Sequence, residues 1–125
     1  MARPNHFEIP VDDPDRAENF YAKVFDWKFQ RFEGAPSYYG MASTGDGDPG
    51  INGALYQRTP EAGTVLTMGV ESIEETTARI TEHGGRVITD KSPIPGMGYY
   101  ATCQDSEGNT IGLFVSDESA QAPGG

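Results

Sequence analysis

Two stretches of the chain alternate apolar and polar residues in the same way and lead into the same kind of helix start. Residues 6–11 read His-Phe-Glu-Ile-Pro-Val and are followed by Asp-Asp-Pro-Asp; residues 65–70 read Val-Leu-Thr-Met-Gly-Val and are followed by Glu-Ser-Ile-Glu. Alternation with period two marks a strand with one face buried. Its recurrence divides the sequence into two similar halves. The first half predicts a strand over 5–10, a helix over 14–25, and strands near 27–32, 37–43 and 51–57. The second predicts a strand over 64–70, a helix over 73–83, and strands near 86–89, 98–104 and 109–116. Gly53 and Gly112 fall at matching places in the two last strands of this reading.

The helix boundaries have local causes. Asp13 has an oxygen for the first-turn N–H groups, and Pro14 suits the first helical position, where its missing N–H is not needed. Ala17, Phe20, Tyr21, Val24 and Phe25 then recur at helical spacing on one face. Ser72 and Glu75 stand three apart as a capping box, and Gly84-Gly85 supplies the left-handed residue that helix ends use. Thr44-Gly45-Asp46-Gly47-Asp48-Pro49-Gly50 reads as an inter-strand loop. Asp46 and Asp48 resemble a piece of a calcium loop but lack its Gly and final Glu, and are read as turn residues. Thr59–Gly63 links the halves, and Asp105-Ser106-Glu107-Gly108-Asn109 reads as a hairpin connection. The expected organisation is a single domain over 1–116, with halves of about 5–58 and 64–116, and a flexible tail over 117–125.

Composition narrows the partners. The formal net charge is −10. Nucleic acid and anionic membrane surfaces call for a positive footprint, so neither is expected. No apolar run approaches the roughly 20 residues of a bilayer-spanning helix. The N-terminus has no apolar stretch behind Arg3, so it does not read as a signal peptide, and the single cysteine, Cys103, cannot form an internal disulfide. A cytoplasmic protein is expected. Lysine occurs only at positions 23, 28 and 91, and an acidic, lysine-poor surface would also suit a high-salt cytoplasm.

His6-Phe7-Glu8-Ile9, Asp13-Pro14-Asp15-Arg16-Ala17, Phe20-Tyr21 and Val24-Phe25-Asp26-Trp27 resemble the opening of the vicinal oxygen chelate superfamily of glyoxalases, bleomycin-resistance proteins and dioxygenases. Asp105-Ser106-Glu107-Gly108-Asn109-Thr110-Ile111-Gly112-Leu113 resembles its ending, and Ser92-Pro93-Ile94-Pro95-Gly96-Met97-Gly98 a loop of a glyoxalase-like branch. The resemblance implies an α+β fold: two βαβββ repeats whose curled mixed sheets form a cup for a small molecule, often in a homodimer. It also implies a divalent metal held from the first and last strands of each repeat. Carried onto this sequence, those positions are His6, Gly53, Val65 and Gly112, of which only His6 has a lone pair for a metal. No metal and no cofactor are therefore expected.

Against that frame the candidate residues are few. His6 and Glu8 share a strand face, so the carboxylate could orient or charge the imidazole, for binding or for acid–base work; the plainer role is a hydrogen-bonded structural pair. Of Tyr38, Tyr39, Tyr56, Tyr99 and Tyr100, adjacent members must face opposite ways, and Tyr39, Tyr56 and Tyr100 are assigned to the cup, with Asn52 and Phe114. Gln57 is a further possible polar contact, and Met68 is wall or core. His83 sits where a helix dipole favours a cation and is given no chemistry. Cys103 has no positive neighbour in sequence and reads as a buried small hydrophobe. Gly96-Met97-Gly98 is either a lid or a plain connection. The expected function is metal-free binding of a small organic molecule. The alternatives are a lyase, isomerase or oxygenase-type enzyme using His6 and Glu8, with or without a divalent metal, and an interaction module with a vestigial cup.

Overall fold

A computed structural model describes residues 2–47 and 49–121. The chain divides into two compact units, one of Asn5–Val65 and one running from Leu66 onward with the residues before Asn5. Each carries one helix and one four-stranded mixed sheet, so the fold class is α+β with two βαβββ repeats.

In the first unit the elements are β1 (Arg3–Val11), α1 (Pro14–Phe25), β2 (Lys28–Arg31), β3 (Tyr39–Ser43) and β4 (Asn52–Gln57). The strands lie in the order β2-β3-β4-β1, antiparallel except that β1 and β4 run parallel. The Asp13 side chain accepts from the Arg16 N–H at 3.1 Å, and Pro14 opens the helix. The helix stops at Asp26, whose φ of 62° is left-handed; short polar side chains tolerate that region best after glycine. The turn brings Trp27 back over Tyr21, with ring centroids 4.8 Å apart and planes 10° from parallel, and Phe7 of β1 joins them at 5.4 Å. Phe7 thus packs with the α1 aromatics, and His6 and Glu8 take the other side of the sheet.

The apolar stripe of α1 is only partly covered. Tyr21 is half-buried, whereas Phe20, Val24 and Phe25 each keep more than half of their surface exposed. The five apolar positions span a wider arc of the helix than one sheet face can cover, and the outer members stay in solvent.

The second unit contains β5 (Val65–Gly69), α2 (Ile73–Glu82), β6 (Arg86–Ile94), β7 (Gly98–Gln104) and β8 (Thr110–Ser116). The order is β6-β7-β8-β5, and β5 and β8 run parallel. Ser72 Oγ accepts from the Glu75 N–H at 3.1 Å, and His83 caps the end of α2 before Gly84, whose φ is 99°. Ile73, Ala101, Cys103 and Leu113 form a buried cluster under α2, with Met68, Ile80, Val87 and Tyr99 around it. Asp105 closes the β7–β8 hairpin by accepting from the Glu107 and Asn109 backbone N–H groups, each at 2.9 Å.

Three expectations change. β6 runs on through Ser92, Pro93 and Ile94, so the presumed loop is mostly strand and only a tight turn remains at Pro95–Met97. That turn is tied by the Met97 N–H to Ile94 O and by the Gly96 N–H to Ala120 O, both at 2.9 Å. The segment read as a tail is also fastened at its start: the Asp117 N–H reaches Met97 O at 2.9 Å, and Ala120 is buried. Residues 122–125 of that tail, and Asp48 of the acidic loop, lie outside the described residues.

The third change concerns the paired glycines. Glu8 stands opposite Ala54 in the β1–β4 register, and Thr67 opposite Gly112 in the β5–β8 register. Glu8 and Thr67 occupy the same place in the two repeats, two residues after His6 and Val65. The counterpart of Gly112 is therefore Ala54, not Gly53. Gly53 pairs with Phe7 and lies on the opposite face from His6. A Cβ there would stand 2.5 Å from both the Phe7 ring and its carbonyl oxygen, which is why the position has no side chain.

Candidate functional site

In the first unit the registers place His6, Glu8, Tyr39, Asn52, Ala54 and Tyr56 on one sheet face. Three of them are joined. The Tyr39 hydroxyl donates to Glu8 Oε2 at 2.6 Å, and its oxygen lies 2.9 Å from His6 Nε2. The direction of the first bond sets the second. With its proton committed to the carboxylate, the phenol oxygen accepts, so His6 carries a hydrogen on Nε2. His6 Nε2 and Glu8 Oε2 are themselves 3.7 Å apart. The three side chains form a short relay from imidazole through phenol to carboxylate.

The relay is partly covered: the side chains of His6 and Glu8 keep 33% and 20% of their surface exposed. That coverage allows a ligand to reach them while limiting competition from water. Burial pushes the Glu8 carboxyl up. The hydrogen bonds from His6 and Tyr39 and the His6 charge outweigh it and hold the group below its ordinary value. Glu8 is thus an acceptor at neutral pH, with Tyr39 as its donor and His6 3.7 Å away.

The neighbouring candidates are engaged in the fold. Asn52 Oδ1 accepts from the Thr44 N–H at 2.9 Å and closes the acidic loop. Tyr56 donates to Gly63 O at 2.6 Å, anchoring the connection between the repeats. Gln57 Nε2 leans on the carbonyls of Val11 and Asp12, each at 3.4 Å. Tyr38 turns away to donate to Glu18, which also takes Arg31. That pair pushes the Tyr38 phenol well above its usual range, through burial first and the Glu18 bond second. A relay through Tyr39 was not foreseen; the signal was in the sequence, because Tyr39 lies on the strand face assigned to the cup.

In the second unit Tyr100 and Phe114 stand opposite each other on the sheet face away from α2, and Tyr99 packs with the helix side, where the Lys91 ammonium sits 4.4 Å from its ring centre. Cys103 is fully buried, and burial pushes its thiol up. His83 remains a helix cap.

The family's metal set does not fit this chain. On the first repeat, the last-strand position matched by register is Ala54, which has no donor atom; on the second, Val65 and Gly112 have none either. Among the described residues, no three His, Cys, Asp or Glu side chains are gathered closely enough to hold a metal ion.

Comparison with known proteins gives a consistent picture. The profile of the Glyoxalase/Bleomycin resistance protein/Dioxygenase superfamily matches residues 3–113. A glyoxylase-like domain-containing protein of Didymella fabae is 29% identical over 110 residues, covering 82% of this chain and 85% of that protein. A lactoylglutathione lyase of Escherichia coli O157:H7 is 28% identical over 131 residues, covering 95% and 96%. Among solved structures, a hypothetical protein of Bacillus halodurans aligns with a TM-score of 0.72 at 20% identity, over 97% of this chain and 99% of that one. The methylmalonyl-CoA epimerase of Mycobacterium tuberculosis aligns at 0.67 with 14% identity, over 91% and 87%. The structural matches speak for the fold alone.

Proposed function

For a chain that belongs to the Glyoxalase/Bleomycin resistance protein/Dioxygenase superfamily, we propose metal-free binding of a small organic molecule on the His6 face of the first repeat. The observation that carries this reading is the partly covered His6–Tyr39–Glu8 relay beside Ala54 and Met41 on one sheet face. A ligand pocket needs a few fixed polar groups on an apolar ground. Here Ala54 of β4 and Met41 of β3 supply the ground and the relay supplies the groups. Asn52 and Tyr56 shape the rim through their bonds to Thr44 and Gly63. The protein acts without the family metal because, of the matched positions, His6 alone holds a donor.

The test is a thermal-shift screen of small metabolites and drugs on the wild type, followed by His6→Ala and Glu8→Gln. A hit whose stabilisation disappears in both variants supports the reading; a hit indifferent to both places the ligand elsewhere and defeats it. Elemental analysis of protein never exposed to a nickel column accompanies the screen. Near one equivalent of divalent metal, lost in His6→Ala, overturns the metal-free part.

A second reading, favoured by the same relay, is an enzyme. An imidazole coupled through a phenol to a carboxylate can move a proton to or from a substrate carbon or oxygen. A relative named lactoylglutathione lyase makes lactoylglutathione the first substrate to assay. Turnover by the wild type that is abolished in Glu8→Gln establishes this reading over simple binding.

The assembly completes the proposal: a cytoplasmic homodimer. The lone buried Cys103 suits a reducing compartment, and Phe20, Val24 and Phe25 leave apolar helix surface for a second copy to cover. Light scattering at micromolar concentration should give twice the 13.5 kDa chain mass; the monomer mass counts against it.

A further inference from the structure

The relay fixes where the single hydrogen of the neutral His6 ring sits. A carboxylate has no hydrogen to give, so the 2.6 Å bond between Tyr39 and Glu8 uses the phenol's own hydrogen. The phenol then turns a lone pair toward His6 Nε2, 2.9 Å away. A ring with its hydrogen on Nδ1 would set two lone pairs against each other at that distance. Nε2 therefore holds the hydrogen, and the lone pair of the ring is on Nδ1. Both donors of the relay are spent inside it, Tyr39 on Glu8 and His6 Nε2 on Tyr39.

Nδ1 is the end of the relay that a visitor can reach. The ring's bond runs through Nε2, and among the described residues no partner meets Nδ1. Nor is the atom sealed in. His6 is half-buried, and among the described residues the side-chain polar atom that is both buried and unpartnered is Thr67 Oγ1. An unpartnered Nδ1 is therefore in contact with solvent, and a bond made to it breaks none inside the fold. Its surroundings are negative. The Glu8 carboxylate lies 3.7 Å from the other ring nitrogen. The lysine on this sheet face is Lys28, opposite Ser43 on β2. It begins three inter-strand spacings from His6, about 14 Å, which exceeds the screening length of about 8 Å at physiological salt. Asn52, opposite His6, is tied to Thr44. An exposed acceptor beside a carboxylate suits an O–H or N–H group. It offers nothing to a group that only accepts, and it repels an anion.

We propose, resting on the reading of this face as a binding face, that its ligands are molecules that present a hydroxyl or N–H hydrogen to His6 Nδ1, and that carboxylates and phosphates are turned away. Tyr39 and Glu8 are then positioning residues: they touch the imidazole from its far side and hold its lone pair outward. The selection comes from the direction of the Tyr39–Glu8 bond, which two sequence-distant residues set together.

The ring nitrogens of His6 are followed by ¹⁵N NMR of the full chain at pH 8, with His83→Gln separating the signals of the two histidines. Without ligand, the expected spectrum has the hydrogen on Nε2 and the lone pair on Nδ1. The probes are phenol, anisole and benzoate, which carry a donor, an acceptor alone and an anion on the same ring. Phenol should move the Nδ1 signal and bind about five- to tenfold more tightly than anisole, as one added hydrogen bond does. Benzoate should bind more weakly than either. His6→Ala should bring phenol down to the affinity of anisole. A hydrogen found on Nδ1, or phenol binding equally well to His6→Ala, overturns the proposal. So does anisole or benzoate binding as tightly as phenol while moving the His6, Glu8 and Tyr39 signals, a result that leaves the binding face standing. If none of the three probes moves those signals, the binding face and the selection fall together.

Discussion

Tyr39 and Glu8 sit on strands that are not neighbours in the sheet, yet the phenol reaches the carboxylate at 2.6 Å across the intervening β4. The reach is possible because β4 presents Ala54 between them, opposite Glu8 on one side and Met41 on the other. A larger residue at 54 would separate the pair. Tyr39→Phe removes the donor and leaves Glu8 with His6 alone, 3.7 Å away. The Glu8 carboxyl should then titrate at higher pH, visible in its ¹³C shift, and the fold should lose about 1–2 kcal/mol in urea melts. An unmoved titration would mean that the bond is not made in solution.

The same group sets a pH dependence. Glu8 is held below its ordinary value of 4.5 in the folded chain. The stability it contributes is fully present above pH 4.5 and is lost as the pH falls through the folded value. Urea midpoints measured from pH 7 to pH 2 should decline in that lower window, and the decline should be shallower in Glu8→Gln. Parallel curves for the two proteins would remove Glu8 from the acid response.

Gly53→Ala should be severe. The new Cβ meets the Phe7 ring and the Phe7 carbonyl oxygen, both at 2.5 Å, and the backbone atom cannot swing away. A loss of about 2–3 kcal/mol is expected, read as a lower Tm. A Tm within a degree of wild type would show that β1 and β4 are looser than their register implies.

Cys103 should resist thiol reagents in the native protein. It is buried in the α2 cluster, and burial keeps its thiol protonated. Ellman's reagent at pH 8 should find no thiol in native protein and one per chain in 6 M guanidinium. Rapid reaction of the native chain would mean that the second unit opens readily.

Much of this was legible in the sequence, because local rules and tertiary packing agree. Asp13-Pro14 starts α1 at the residue expected, and the alternation in His6–Val11 sends Phe7 to Trp27 and His6 to Tyr39. What misled was a coincidence of residue type. Gly53 and Gly112 look alike in a list of last-strand residues, but one is small to admit Phe7 from the strand beside it and the other to admit Tyr100. Period-two patterns carry no information on register between distant strands, and a slip of one residue reverses the face. The breadth of the α1 stripe was likewise visible, but not how much of it the sheet would cover. The fastening of Asp117 and Ala120 to the Gly96 turn rests on backbone bonds, which no side-chain pattern announces.

The parallel pairing of first with last strand has a consequence for how the chain is made. His6 meets Asn52 and Leu66 meets Ile111, so the middle of each sheet joins residues about 45 positions apart. Hairpins β3–β4 and β7–β8 can close early, but β1 and β5 must wait for β4 and β8 and carry the entropy of a long loop. On a ribosome adding roughly 5–20 residues per second, the first repeat has all of its strands once Gln57 has emerged, before any of β5 to β8 has emerged. The His6–Tyr39–Glu8 relay draws every one of its members from that early piece, so it can be in place while the second repeat is still being translated.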